Sequence, residues 1–333
     1  MNQLSTLIPA YKPDHLAELF NGLRTQTFKD FRVVLSDDSP GGTITEHIRG
    51  GAFDTLIGSL NLLVVQGPRQ GSFKNVLHLL RHWGTQSPLV HLHMDDDVVY
   101  PDFYRNHVLT HASAEVGATV SQRWLTSADG RPAVHLPLPE FIDNHNERIL
   151  AVGSDILFAS TVPACQNWLG EFSNAVLSQE AVRRLQQASM QGLSYYGLAD
   201  IGVLLDVSRH APIGVIRDHL SGFRSHPQQA TAQTQSFGLK CGYLAWMALA
   251  LAAWREERIT TTQAMQSIGI TLKHCVQRYA GDVSMSEFFK LVETQAHDLS
   301  ALHVGFSGFW KRLLQTDADS RDAVVATAEV ALA

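Results

Sequence analysis

The sequence predicts an α/β fold built on a mostly parallel sheet flanked by helices, and three observations carry that expectation. Short β-like runs alternate with helical patterns through the first third of the chain, the signature of successive βα units. Turn residues cluster where those runs end. The chain has 333 residues, enough for one large or two unequal domains, with 45% hydrophobic and 17% charged residues and no block that signals disorder.

The elements follow in order. Residues 4–9 read as a first strand; Pro13-Asp14 then opens a helix on which Leu16, Leu19, Phe20 and Leu23 recur at helical spacing. Residues 31–35 form the next strand and stop at the turn-rich Ser36-Asp37-Asp38-Ser39-Pro40-Gly41-Gly42. A third strand covers 60–65, a helix 73–83, and a fourth strand 89–94. Between 117 and 138 the pattern is again strand-like, with Ala128-Asp129-Gly130 as a hairpin turn. Residues 180–191 read as a helix and 214–216 as a short strand, and an Ala- and Leu-rich helical segment starts at 237. Pro227 to Gln235 is the linker candidate.

In such a sheet, ligands gather outside the carboxyl ends of the strands. Three polar clusters fall there: Pro9-Ala10-Tyr11, Asp37-Asp38 and Asp95-Asp96-Asp97. The last is the most informative. Three adjacent carboxylates where a buried strand meets a loop cannot all stay ionised without a counter-charge. A divalent cation supplies one, and Mg2+ and Mn2+ take carboxylate oxygens together with the phosphates of a nucleotide. The alternative is a solvated loop of helix-capping carboxylates. Strand alternation would put His91, His93, Asp95 and Asp97 on one side and Asp96 on the other, so that Asp95 and Asp97 converge on one ion. A histidine in an apolar strand is more often a hydrogen-bonded core residue than a ligand. Asp37 and Asp38 suit a base N–H or ribose hydroxyls, or else an Asx turn. Arg69 and Lys74 flank a glycine-containing loop and could balance a diphosphate.

A formal net charge of −6 gives no basic footprint for nucleic acid. Cys165, Cys241 and Cys275 are far apart and lack a CxxC spacing, which encodes neither a disulfide framework nor a zinc site and fits a reducing cytoplasm. The N-terminus carries no signal-like segment, and the longest apolar run, residues 243–254, falls short of the roughly 20 residues that span a bilayer. A buried helix is expected there, with peripheral contact at the inner face of a membrane left open.

Four segments together resemble the inverting family 2 glycosyltransferases of the GT-A fold. They are Leu7-Ile8-Pro9-Ala10-Tyr11, Val34-Leu35-Ser36-Asp37-Asp38-Ser39, Lys74-Asn75, and Asp95-Asp96-Asp97 in the place of the DxD motif. Further on, Gly197 to Leu205 resembles the segment that carries the family's catalytic carboxylate. Arg209 to Ile216 and Ser221 to Pro227 resemble its closing strand and aromatic-Arg-x-His-Pro element. The resemblance covers about residues 4–227. Ala199 stands where the family usually carries a second acid beside the catalytic one, and His91 and His93 interrupt a strand that is normally apolar.

The resemblance implies a Rossmann-like GT-A domain over residues 1–227, with a nucleotide-sugar part to about 100 and an acceptor part beyond it, followed by a helical segment over 236–333. It implies metal-dependent transfer of a hexose-like sugar from a nucleotide-diphosphate sugar to an acceptor hydroxyl of a glycan, lipid-linked or protein substrate, as in surface glycan or glycoconjugate synthesis. Asp97 would then hold Mn2+ or Mg2+ directly, Asp95 would meet the ribose or the metal's waters, and Asp96 could do either. His226 would approach the diphosphate or metal, and Arg224 the phosphate. Asp200 would be the base that takes the acceptor proton, with Asp206 its rival. Two other readings compete: a nucleotide-sugar-binding protein without transfer activity, and a scaffold recruiting partners through Trp246, Trp254, Phe288, Phe289, Phe306 and Trp310.

Overall fold

Apolar runs with turn residues at their ends become strands whose carboxyl ends share one edge. In the computed structural model, which describes residues 2–225 and 236–331, the strands are β1 Leu4–Ala10, β2 Phe31–Asp37, β3 Leu62–Gln66, β4 Leu89–Leu92, β5 Val98–Val99, β6 Ala118–Thr126, β7 Pro132–His135, β8 Ile149–Val152, β9 Ala175–Ser178, β10 Ser189–Met190, β11 Leu193–Ser194 and β12 Ile213–Arg224. Ten of them form one sheet, ordered β3-β2-β1-β4-β9-β6-β12-β5, with β7 paired to β6 and β8 to β12. β1, β2, β3 and β4 run parallel. β9 is antiparallel to both β4 and β6, and β12 is parallel to β6. Six strands therefore deliver Ala10, Asp37, Gln66, Leu92, Thr126 and Arg224 to the same edge.

β1 is buried along its whole length, as a strand covered on both faces must be. Leu16, Leu19, Phe20 and Leu23 of the helix Leu16–Arg24 pack with Leu4, Ile8, Val33 and Leu35 in one core. The polar residues inside β1 are satisfied: Ser5 Oγ lies 2.8 Å from Ser87 Oγ and Thr6 Oγ1 2.6 Å from Tyr104 Oη. The helix Ser72–Trp83 turns Asn75 inward, where Ser36 Oγ donates to its Oδ1 at 2.6 Å.

Three expected boundaries move, each for a local reason. The fourth strand ends at Leu92 rather than Met94, because residues 93–97 leave the ladder for a turn in which Asp97 N–H donates to Met94 O at 3.4 Å. The short strand expected at 214–216 extends over Ile213–Arg224, and register shifts on both sides of His219 break the alternation that would have marked it. The helix expected at 180–191 stops at Gln187, where Ala188 and Gln191 take φ of 45° and 50°. The linker candidate at 227–235 lies outside the described residues.

The chain divides into two compact units, 1–154 with 168–187 and 203–227, and 155–167 with 188–202 and 228–333. The sheet of ten strands belongs wholly to the first. The second consists of helices Phe237–Arg255, Thr261–Tyr279, Ser286–Gln295 and Leu299–Ala331 with the β10–β11 hairpin. Trp246, Phe288, Phe306 and Trp310 are buried in it, and Trp310 Nε1 donates to Ser194 O at 2.8 Å, so these aromatics build a core rather than a recruiting face. Thr260 and Gln263 form a reciprocal capping box at the start of Thr261–Tyr279. Gly197, at φ 96°, lets the chain pass so near the helix Phe237–Arg255 that a Cβ would lie 2.5 Å from Gly242 N. Among the described residues that helix alone is long and apolar enough to cross a membrane, and 61% of its apolar window is buried inside the protein.

The first unit also buries His107, on the helix Phe103–Ser113, with Nδ1 2.7 Å from Thr119 Oγ1. Burial, helped by His111, pushes its pKa well below the usual range. The unfolded chain protonates near 6.5 while the folded imidazole stays neutral, so His107 lowers stability as pH falls, by about 2 kcal/mol at pH 5. Urea melts of wild type and His107→Phe should therefore shift relative to one another by about that amount, in favour of the variant, between pH 7.5 and 5. A pH-independent difference would contradict this.

Candidate active site

Four strand-end loops interlock at the carboxyl edge. Asp38 N–H donates to Ala10 O and Gly67 N–H to Asp37 O, both at 2.8 Å, tying the loops after β1, β2 and β3 together. The β4 loop joins through Asp95, whose Oδ2 accepts Tyr11 N–H at 2.7 Å and Lys12 N–H at 3.1 Å. Tyr11 itself is 53% exposed, its ring standing free beside this junction, while Pro9 and Ala10 are buried.

Asp37, expected to meet a base or ribose, is instead committed to its own loop. Its carboxylate accepts Ser39 N–H at 2.9 Å, Ser39 Oγ–H at 2.5 Å, Thr45 N–H at 2.8 Å and Thr45 Oγ1–H at 2.6 Å. Burial would raise its pKa, but these four bonds outweigh burial and hold it below the usual carboxylate range. Thr45 belongs to the first turn of the helix Thr43–Arg49, so Asp37 also anchors that helix end. Asp38 is the less committed neighbour. Its Oδ1 accepts the Arg69 N–H, and burial keeps its pKa raised against the backbone N–H groups of Arg69 and Gly71. A Cβ on Gly67 would lie 2.5 Å from Asp38 Oδ1, so this close approach requires glycine. The side chains of Arg69 and Lys74 are exposed at the same edge.

The acidic run sits in the turn after β4, not in a continuing strand, so strand alternation does not set its directions. Asp95 goes to Tyr11 and Lys12; burial, reinforced by the charge of Asp96, outweighs those N–H bonds and raises its pKa to about 6. Asp97 is 2% exposed. Its Oδ1 accepts the Arg224 N–H at 3.0 Å, and Ser173 hydrogen-bonds its carboxyl while also accepting Met94 N–H at 3.1 Å. Burial and then the charge of Asp96 still hold the Asp97 carboxyl well above its usual range.

Arg224, expected to neutralise phosphate, is turned inward and fully buried. Its guanidinium donates to Asp96 O at 2.5 Å, to Ala128 O at 2.6 Å and to the carboxylate of Glu18. It therefore clamps the acidic turn to the β6–β7 hairpin and to the helix Leu16–Arg24. Ser173 and Glu18 are the participants the sequence did not announce: Ser173 is the middle residue of a single 3-10 turn, Phe172–Asn174, and Glu18 reads as an ordinary solvated helix residue.

His91 proves to be a core histidine, with Nδ1 3.1 Å from Tyr104 Oη and Nε2 3.1 Å from Ser173 O. His93 differs: both ring nitrogens are buried without a hydrogen-bond partner among the described residues, and burial brings its pKa down to about 4 against the opposing charge of Asp96. Asp206 is buried between Arg184 and Arg209 in the first unit and pairs with both. Asp200 is the second residue of the helix Ala199–Ser208 and belongs to the second unit; it is half-buried, with Oδ1 accepting Ile201 N–H at 2.8 Å. His226 lies outside the described residues.

The donors at the acidic turn fit a hard divalent cation. Asp96 and Asp97 offer carboxylate oxygens, and the buried imidazole of His93 is acted on by the charge of Asp96 and by the backbone of Met94. No group of three or more His, Cys, Asp or Glu among the described residues is gathered for an ion.

Sheet, flanking helices and acidic strand end together define a GT-A-type α/β fold. Residues 1–349 of TarS from S. aureus, in complex with UDP-GlcNAc, superimpose with a TM-score of 0.57 at 14% identity, covering 94% of this chain and 92% of that one. The mannosyltransferase PcManGT from Pyrobaculum calidifontis, in complex with GDP-Man and Mn2+, gives a TM-score of 0.52 at 14% identity, covering 95% of this chain and 87% of that one. No protein-family model matches the chain, and no curated protein sequence does. At this identity the shared property is the fold.

The clamp makes a testable demand. Arg224→Met takes the guanidinium away from Asp96 O, Ala128 O and Glu18 while the backbone N–H that holds Asp97 remains, and should destabilise the protein by about 2 kcal/mol or more in urea melts, the cost of leaving buried acceptors unpaired. Glu18→Gln, at a half-exposed position and with an oxygen still offered to the guanidinium, should cost less than Arg224→Met. Equal effects of the two variants would contradict the clamp.

Proposed function

We propose that the chain is a glycosyltransferase that moves a sugar from a nucleotide-diphosphate sugar to an acceptor hydroxyl. The observation that carries this reading is the buried acidic turn at the carboxyl edge of a GT-A-type sheet, with Asp97 held out of water beside Asp96. Solved structures of the same fold hold UDP-GlcNAc and GDP-Man with Mn2+, which supports a nucleotide-sugar ligand.

The residues take these roles. Tyr11 and Asp38, on the β1 and β2 loops, meet the nucleoside, with Pro9 and Ala10 shaping the floor beneath them. Arg69 and Lys74 face the diphosphate. Asp97 would hold Mn2+ or Mg2+ directly, Asp95 would meet the ribose or the metal's waters, Asp96 could do either, and His226 is proposed for the same shell. Bound there, a divalent ion stabilises the negative charge that builds on the departing diphosphate. Asp95 also holds the β1 and β4 loops in register through its Oδ2, and Arg224 fixes the height of the turn. Asp200 takes the proton from the acceptor hydroxyl on the face opposite the leaving group, which yields inversion. The acceptor is a glycan, a lipid-linked sugar or a protein, and the three free cysteines suit a reducing cytoplasmic setting, including the inner face of a membrane.

Thermal melts with UDP, GDP and their sugar nucleotides, each with Mn2+, test the reading. A ligand at a hundred times its dissociation constant stabilises by about 2.7 kcal/mol. Asp97→Ala should lose the Mn2+-dependent part of that gain. Asp200→Asn should keep it and lose release of nucleoside diphosphate from the sugar nucleotide. A wild-type protein that binds none of these nucleotides contradicts the function, and near-normal turnover by Asp200→Asn contradicts the base assignment.

A further inference from the structure

Three aromatic rings stand together on β6, β7 and β12, none of them assigned a role above. Trp124 and His219 stack with ring centroids 4.3 Å apart and planes 26° from parallel. His135 closes the group, 4.9 Å from His219 and 5.8 Å from Trp124, edge-on to the indole. The arrangement is built by the sheet. Trp124 and His135 are cross-strand partners in the β6–β7 hairpin, and the register shifts that flank His219 on β12 bring its ring onto the indole.

The rings are not core. Trp124 and His219 are half-buried and His135 is exposed. Neither the Trp124 indole N–H nor the His135 ring nitrogens have a hydrogen-bond partner among the described residues, while His219 Nε2 is buried beneath the group and His219 serves as the indole's backing. Flat apolar faces edged by unused polar atoms suit a ligand with an apolar face and a hydroxylated rim. The nearby cations are engaged elsewhere: Arg148 pairs with Asp218, and Arg217 donates to Asp143 O at 2.7 Å. The surface therefore favours a neutral ligand over a phosphate.

Position separates this surface from the donor. Tyr11 and Asp38 follow β1 and β2, whereas β6 lies three strands beyond β1 in the sheet order, roughly 14 Å across it at ordinary strand spacing. Along the strand the platform is close to the chemistry: Trp124 pairs with Gly222, two residues before Arg224, whose N–H bonds Asp97. That is roughly 7 Å of strand.

We infer that Trp124, His135 and His219 form a stacking platform for a saccharide ring of the acceptor, so that the acceptor is a glycan extending beyond the ring that receives the transferred sugar. The inference rests on the glycosyltransferase reading and is tested apart from it. Full-length protein is titrated with tetrasaccharides of glucose, mannose and N-acetylglucosamine, and with the corresponding monosaccharides, by saturation-transfer NMR; UDP and GDP with Mn2+ are titrated in parallel. Wild type should bind at least one tetrasaccharide more tightly than its monosaccharide. Trp124→Ala should weaken that binding at least tenfold, and the exposed His135→Ala, which leaves the core untouched, severalfold. Trp124→Phe should retain most of it, and nucleotide binding should not change in any variant. Wild type that binds none of the tetrasaccharides, or binding by Trp124→Ala and His135→Ala within twofold of wild type, overturns the platform. Loss of nucleotide binding by wild type overturns the glycosyltransferase reading instead.

Discussion

The carboxyl edge of the first unit is organised around one electrostatic constraint, the crowding of Asp95, Asp96 and Asp97 in a turn that buries Asp97. Water cannot screen a carboxylate held at 2% exposure, and its nearest charged neighbour has the same sign. The surrounding chain answers with donors. Backbone N–H groups of Tyr11 and Lys12 hold Asp95, the N–H of Arg224 and the Ser173 side chain hold Asp97, and the guanidinium of Arg224 grips Asp96 O. The bonds that contain the repulsion also cross-link the loops after β1, β4 and β12. Even so they do not cancel it, because the Asp95 and Asp97 pKa values remain raised.

Much of this was legible in the sequence where one pattern dictated one structure. Apolar runs closed by turn residues gave β1 to β4, and the helical stripe at Leu16, Leu19, Phe20 and Leu23 gave the covering helix. The placement of polar clusters at strand ends followed from topology alone. Side-chain directions did not. Alternation holds only while a strand continues, and β4 ends at Leu92, so Asp95 and Asp97 point where a turn sends them. Asp37 looked available because a residue list does not show the four donors that fill its oxygens. Arg224 looked like a phosphate ligand because a cation near a carboxylate reads the same whether it faces solvent or the core.

The same distinction separates the two faces of the sheet edge. Around the β1 and β2 ends the polar atoms are either committed to loops, as in Asp37, or left raised in pKa and partly committed, as in Asp38. On β6, β7 and β12 the aromatic rings of Trp124, His135 and His219 gather beside charges paired with one another, Arg131 with Asp129 and Arg148 with Asp218. A charged ligand suits the first region and a neutral hydroxylated one the second, the division that a nucleotide-diphosphate donor and a glycan acceptor require. The helical second unit has a core of its own built on Trp310, Phe288 and Phe306.

The central claim is that the acidic turn holds protons that a divalent cation displaces. Calorimetric titration of the protein with Mn2+ at pH 6, repeated in buffers of differing ionisation enthalpy, counts those protons directly. With Asp95 titrating at about 6, and Asp97 well above its usual range, binding should release protons at pH 6, and the release should shrink as the pH is raised. Mn2+ binding with no dependence on buffer ionisation, or no binding at all, would contradict the account.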